Sequence, residues 1–401
     1  MVRYVPRLAD GRRVELSWPL TIYRYSHIFW PLDAATSTFW RRFDYVCAWI
    51  GCLVLMLHND AELRYLRSQR NNLDTLLTGM PTYLILFEFQ LRSLHALLYR
   101  EELHQLLQTY FASIYVERRA QPKLFRQIER KLLPNRLVAS LYVLAVSGYV
   151  IAPIMMLIRR QKEFVYPMIP AFDVEPLYLF VPHTLSSVWV GVIIATAEFG
   201  ETTLLCELLT HLKSRYTLLQ QDMDAAIEQI LAVRQRPLMA QQLRELLVKT
   251  LRQNVALNRF GEQLEAHFTV RVFAMFAGSA LLLCALGFKT IVSPTGNYIY
   301  PMWFGAKTIE LLTLGKLGSD LAYVTDGLST MYYQTQWEQV IYYSTNPREN
   351  LRLMKLVALS IELNCRTYYM TGLKYFRVSL QAVLKILQGA FSYFTFLTSM
   401  R

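Results

Sequence analysis

No motif of catalysis or metal chemistry interrupts this chain. It lacks an H-E-x-x-H zinc helix, a G-x-x-x-x-G-K-[ST] phosphate loop, a G-x-S-x-G nucleophile turn and a Rossmann glycine pattern. Its seven histidines never stand four residues apart, so no helix face offers a pair of them to a metal. The five cysteines form no C-x-x-C. Cys47, Cys52, Cys206 and Cys284 lie in or at the ends of apolar runs and Cys365 does not, a distribution that suits buried free thiols and not a disulfide framework. Arg3 and Arg7 are not followed by an apolar stretch, so no cleavable signal peptide is expected. No N-x-[ST] sequon is present. These absences argue against an enzyme and against a bound cofactor or metal.

Acidic residues are the scarcer charge: 30 Asp and Glu stand against 42 Lys and Arg, a net +12. Such an excess suggests nucleic acid, but the distribution excludes it. The basic residues gather in alternate connections between apolar runs, as they do in membrane proteins oriented by positive charge. With 53% hydrophobic residues over 401 positions, the chain reads as a polytopic membrane protein.

Seven runs are candidate spans: 43–59, 73–98, 137–158, 176–197, 268–288, 298–330 and 376–399. The third and fourth contain no charge, which no soluble core helix explains at that length. Glu88 and Arg92 break the second. The sixth is weak, carrying Lys307, Glu310, Lys316, Asp320 and Asp326. Lys307 and Glu310 stand i, i+3 and can pair on one helix face. In the last span Lys385 suits either an interior ion pair or a pore lining.

Lys and Arg number 26 in the N-terminal 42 residues and stretches 99–131, 207–266 and 338–373, against 7 in stretches 60–72, 159–175 and 289–297. The first set should be cytoplasmic. The expected fold is therefore all-α, with seven transmembrane helices, the N-terminus inside and the C-terminus outside. Stretches 198–233 and 238–266 carry leucines at helical spacing beyond the membrane, among them Leu204, Leu208, Leu212, Leu243 and Leu247, and should prolong their spans as an amphipathic pair turning at Arg236-Pro237. A further helix is expected over 349–371, between Asn346-Pro347 and Gly372. A bundle of these cytoplasmic elements would suit assembly.

Aromatic residues near the outer ends of spans two to six, with small or polar neighbours, suggest a largely apolar ligand cavity: Tyr83, Phe87, Ser147, Gly148, Tyr149, Trp189, Phe273, Phe276, Tyr300 and Trp303. Ordinary helix packing and an interfacial aromatic belt explain the same residues.

The last span opens Val378-Ser379-Leu380, continues Leu384-Lys385-Ile386-Leu387-Gln388 and closes Ser392-Tyr393-Phe394-Thr395. This resembles the C-terminal signature of insect odorant receptors in both residue type and spacing. Gly318-Ser319-Asp320-Leu321 and Tyr333, four before Trp337, are similar to the pattern that ends their sixth span. The specific resemblance covers roughly residues 315–399. Gustatory receptors typically place a Gln at the end of a Thr-Tyr motif in the last span, whereas this chain has Ser392-Tyr393 and ends Thr398-Ser399. Stretch 207–266 looks too short for the family's shared co-receptor, so the resemblance is to a ligand-tuning subunit.

The resemblance implies an odorant-gated cation channel in the plasma membrane of olfactory neurons, assembled as a heterotetramer with co-receptor subunits and opened by a small volatile organic ligand. Residues 1–337 would hold the first six spans with the pocket and the extensions 198–266. Residues 338–373 would form an assembly segment, and 374–401 the pore helix. The family's constriction, laid on this chain, falls at Phe396, Ser399 and Met400, whose spacing shares one helix face. A metabotropic receptor is opposed by the orientation, and a transporter by the odd number of spans and the lack of an evident inverted repeat.

Overall fold

A computed structural model describes residues 3–159, 161–164, 166–233, 238–292 and 299–399. The chain is helical almost throughout. A short α1 (Trp18–Tyr23) precedes α2 (Thr38–Ser68), α3 (Leu73–Leu98), α4 (Arg100–Thr109), α5 (Pro122–Ile158), α6 (Leu177–Val233), α7 (Met239–Val292), α8 (Ile299–Tyr333), α9 (Trp337–Tyr343), α10 (Pro347–Leu363) and α11 (Leu380–Ser399). The seven expected spans correspond to α2, α3, α5, α6, α7, α8 and α11.

Among the described residues, α2, α5, α6 and α7 are long and apolar enough by themselves to cross a membrane. α3 and α8 carry buried charges, and α11 carries a row of polar residues, which lowers their apolar content.

Fourth and fifth spans do continue beyond any bilayer. At 1.5 Å per residue the 57-residue α6 is far longer than a membrane is thick. Leu204, Leu208, Leu212 and Tyr216 of α6 are fully buried, as are Leu243 and Leu247 of α7. These apolar rows are satisfied within one chain. The turn expected at Arg236-Pro237 lies outside the described residues.

The described residues before α2 are fastened to the bundle. Buried Asp44 accepts from Arg3 at 2.7 Å and from Arg100 at 2.5 Å, so one carboxylate joins the N-terminal segment, α2 and α4. Gly200 of α6 leaves room for the Tyr23 ring, which occupies the place a Cβ would need.

The helix expected over 349–371 stops earlier, at Leu363. It begins where the sequence placed it: Asn346 caps the Glu349 amide, and Pro347 occupies the first turn. Arg244 of α7 and Arg352 both reach Glu349, whose carboxyl is held below its usual range first by Arg352 and then by Arg244. Residues 364–379 then cross α7 and α8 as an irregular segment. Tyr368 donates its hydroxyl to the Gly261 carbonyl at 2.7 Å. A two-stranded antiparallel hairpin follows, β1 (Thr371–Gly372) with β2 (Phe376–Arg377). Its turn places Leu373 and Lys374 at φ of 49° and 62°, a left-handed conformation costly for residues with a Cβ. Thr269 of α7 accepts the Leu373 amide proton at 2.6 Å and offsets that strain.

The hairpin sets the entry of α11. Ser379 caps the helix by accepting from the Ala382 amide, and Ser319 of α8 accepts from the Leu380 amide at 3.0 Å. Gly315 and Gly318 let the two backbones approach. A Cβ on Gly315 would stand 3.0 Å from the Ser379 carbonyl oxygen, and one on Gly318 would collide with the Val378 carbonyl.

Candidate functional site

Five helices meet around a buried ionic cluster. α3 contributes Glu88 and Arg92, α5 Tyr142, α6 Glu198, Glu201 and Thr202, α7 His267 and Arg271, and α8 Lys307 and Glu310. The charged members are no more than 5% exposed. Such groups cannot stay in an apolar interior unless paired and hydrogen-bonded. Arg92 donates to Glu88 at 2.8 Å, Glu198 at 2.7 Å and Glu201 at 2.6 Å. Arg271 donates to the other oxygen of Glu201 at 2.7 Å and meets His267. Lys307 binds Glu198 and lies 3.3 Å from Glu310, so the pair expected from sequence spacing forms. Tyr142 and Thr202 donate to the two oxygens of Glu310, each at 2.6 Å. Gly278 of α7 makes room for the cluster, since a Cβ there would lie 2.6 Å from a Glu88 oxygen.

Above this cluster lies a cavity of about 60 Å³, room for roughly four waters. Its floor is Glu88, Glu198 and Tyr142. Ile85, Leu86 and Phe89 of α3, Val190, Ile194 and Ala195 of α6, Leu282 of α7 and Trp303 of α8 make an apolar wall. Glu62, Thr82 and Tyr166 close it from the side. This is the mixture expected of a small-molecule site, with apolar walls and a few convergent polar groups.

Two of the larger depressions among the described residues are different in kind. One, about 450 Å³, is an apolar groove among α7, α8 and α11 lined by Leu283, Phe304 and Phe391. The other, about 820 Å³, lies at the opposite end of the bundle and is a polar cleft containing Arg12, Arg118, Arg119 and Arg136.

Of the ten residues expected to line a pocket, the cavity takes Trp303. Phe87 is 45% exposed on the outer face of α3, with Tyr83 stacked on it at 6.2 Å. Ser147 turns its hydroxyl to the Leu144 carbonyl, and Gly148 faces Ile299. Trp189 packs over Gly51 of α2. Phe276 and Phe273 stack on Phe376 of the hairpin, at 5.1 and 6.4 Å. Tyr300 carries the Lys289 ammonium over its ring at 3.9 Å. The side chain of Tyr149 lies outside the described residues. The cavity face of α3 is one residue away from the aromatic one. Its signal was the pair Glu88 and Arg92: counting turns from them selects Ile85, Phe89 and Thr82.

α11 buries Val383 and Ala390 against its neighbours. Its open face carries Gln381, Lys385, Gln388, Ser392, Thr395 and Ser399, spaced three or four apart and all exposed. Lys385 makes no ion pair among the described residues. Phe396 is exposed beside this row, and Ser399 donates to the Phe396 carbonyl at 2.7 Å. Met400 lies outside the described residues.

A family model described as 7tm Odorant receptor matches residues 72–391. The chain belongs to the odorant receptor family. It is 60% identical to Odorant receptor 35a of Drosophila melanogaster, over all of this chain and 98% of that protein. It is 44% identical to Odorant receptor 74a of the same fly, over all of this chain and 99% of the relative. The olfactory receptor OR5 of Machilis hrabei, solved in complex with eugenol, shares the fold at a TM-score of 0.74 and 11% identity, covering 96% of this chain and 97% of its own. The seven-helix fold expected from sequence is therefore that of a solved insect olfactory receptor. Family membership makes the chain a transmembrane receptor of olfaction and not an enzyme.

Proposed function

We propose that the chain is the ligand-tuning subunit of an odorant-gated cation channel, completed by co-receptor subunits in a heterotetramer in the plasma membrane of olfactory neurons. The supporting observation is the continuity between cavity and last helix. A ligand in the cavity touches Tyr142 and Glu198. These hold Glu310 and Lys307 of α8. Further along α8, Gly315 and Gly318 seat the start of α11. A small displacement of α8 is thus delivered to α11 by packed, buried contacts, which switch between arrangements more readily than they deform.

The polar row on α11 supports the pore. Polar residues in a membrane-length helix face water or protein, and these face away from the rest of the chain. Four such helices about an axis would enclose water. Phe396 would narrow that passage with an apolar ring, and apolar constrictions close by dewetting. The charge asymmetry supports an N-terminus in the cytoplasm, with the cavity in the outer half and the end of α11 outside.

α10 supports the assembly. Its inner face buries Leu353 and Val357, whereas Leu351, Met354, Leu359 and Leu363 stay exposed. An exposed apolar face of this kind marks a protein contact.

The test is whole-cell recording from cells expressing the chain with and without the co-receptor, across a panel of volatile ligands. Currents within milliseconds, without added nucleotide and lost in Ala195→Phe at equal surface density, are expected. A response that needs a G protein would reject the channel reading.

A further inference from the structure

The polar cleft of about 820 Å³ falls within the size range of small-molecule sites. Residues 8–17, residues 111–119, the first turns of α5 and the middle of α6 enclose it. Its five arginines are not equivalent. Arg12 pairs with Glu117 at 2.7 Å and Arg136 with Glu129 at 2.5 Å. Arg13, Arg118 and Arg119 are exposed and have no ion pair among the described residues. Two lining carboxylates, Glu15 and Glu207, remain against these three cations. Glu207 accepts from Ser17 at 2.6 Å, and burial pushes its carboxyl up to about 7, so near neutral pH it is partly uncharged. The cleft therefore holds positive charge that the chain itself does not neutralise.

His211 supplies a second kind of donor. It is 2% exposed, and its ring stacks on Tyr115 at 4.8 Å. Nδ1 accepts from the Val116 amide at 3.0 Å. Burial keeps the ring neutral, so its one proton is on Nε2. No group among the described residues accepts that proton. It is available to an acceptor inside the cleft.

Location narrows the kind of ligand. Residues 1–42 and 99–131 belong to the basic set expected in the cytoplasm, and Arg136 stands one residue before the third expected span. Beside Arg136, Leu133, Leu137 and Leu144 continue up α5 as an exposed apolar row. We propose that the cleft binds the phosphorylated headgroup of an anionic inner-leaflet lipid. Arg13, Arg118 and Arg119 hold the phosphate oxygens, whose geometry suits the guanidinium fork, and His211 Nε2 donates to a headgroup oxygen. The acyl chains leave along Leu133 and Leu137. The lipid source rests on the cytoplasmic orientation of the N-terminus, whereas anion binding by the cleft does not.

The experiment uses the full-length chain co-purified with the co-receptor in detergent, with fluorescent dioctanoyl phosphatidylinositol bisphosphate as the probe. Saturable binding is expected. Arg118→Gln with Arg119→Gln should weaken it on the order of 10-fold, since each arginine contributes charge-assisted hydrogen bonds. Lys249→Gln with Arg252→Gln removes the same charge from an exposed part of α7 and should leave binding unchanged. Glu129→Gln should tighten binding, because it frees Arg136 and removes a repelling carboxylate, a gain that misfolding cannot produce. No saturable binding, or no greater weakening in the Arg118 and Arg119 variant than in the Lys249 and Arg252 variant, overturns the proposal. Inositol trisphosphate should compete far less well than unlabelled dioctanoyl lipid, and equal competition overturns the lipid source in favour of a soluble phosphate ester. Arg119→Cys, in a Cys365→Ser background, tests the orientation separately. A membrane-impermeant thiol reagent should label it only in permeabilised cells. Labelling in intact cells rejects the orientation and the inner-leaflet source together, whatever the detergent binding shows.

Discussion

The hydroxyl of Tyr142 on α5 donates to Glu310 on α8 across 2.6 Å, at the floor of the cavity. No apolar contact could tie the two helices so specifically, because the carboxylate accepts from Thr202 of α6 as well. Removing one donor leaves a buried charge short of a partner, which costs about 1.5–3 kcal/mol for a bond to a charged group. Tyr142→Phe should therefore lower ligand potency by on the order of 10-fold or more. Dose–response curves normalised to surface density check it. An unchanged curve would remove Tyr142 from the coupling.

Gly318→Ala should abolish function or surface expression, because its Cβ would strike a backbone carbonyl, that of Val378, which cannot rotate away. Gly305→Ala, also on α8, meets nothing within 4 Å and should be silent or slightly stabilising. Surface biotinylation and peak current for the two variants provide the comparison.

The polar row of α11 should tune permeation. Lys385→Glu is expected to raise cation conductance and shift relative permeability, since reversing one charge in a narrow, poorly screened passage changes the local potential. Reversal potentials measured in mixed cation solutions read this out. Identical permeation in the variant would mean that Lys385 lies away from the pathway.

Arginine at Leu359 or Leu363 should prevent co-purification with the co-receptor while the chain still inserts in the membrane. Both side chains are exposed in the single chain, so the change costs its fold little. Arginine at buried Val357 should instead destabilise the chain itself. Intact co-purification of the Leu359 and Leu363 variants would place assembly elsewhere.

Element existence was legible in the sequence because apolar runs and helical leucine spacing are strong local signals. α3 runs over the expected 73–98, and α6 and α7 continue through Leu212 and Leu243 as their periodicity required. The early end of α10 was not legible. It depends on Tyr368 reaching Gly261 and on the hairpin docking to α7, both tertiary contacts. The cavity was harder still. Aromatic residues such as Phe87 mark one face of α3, while Glu88 and Arg92 are buried on the neighbouring face. Charges inside apolar helices were the better guide. Glu198, Glu201 and Arg271 lie beside long apolar stretches and pair across helices far apart in sequence, so no local spacing reveals their partners.

Ligand in the cavity is proposed to open a pore lined by α11. Patch recording of Gln388→Cys receptors with the co-receptor, during brief pulses of a charged thiol reagent, tests it most directly. Ligand is expected to evoke current within milliseconds without nucleotide. The reagent should alter that current much faster in the presence of ligand than in its absence. Both effects should vanish when Ala195→Phe is added. Modification at the same rate with and without ligand, or ligand responses undiminished by Ala195→Phe, would contradict it.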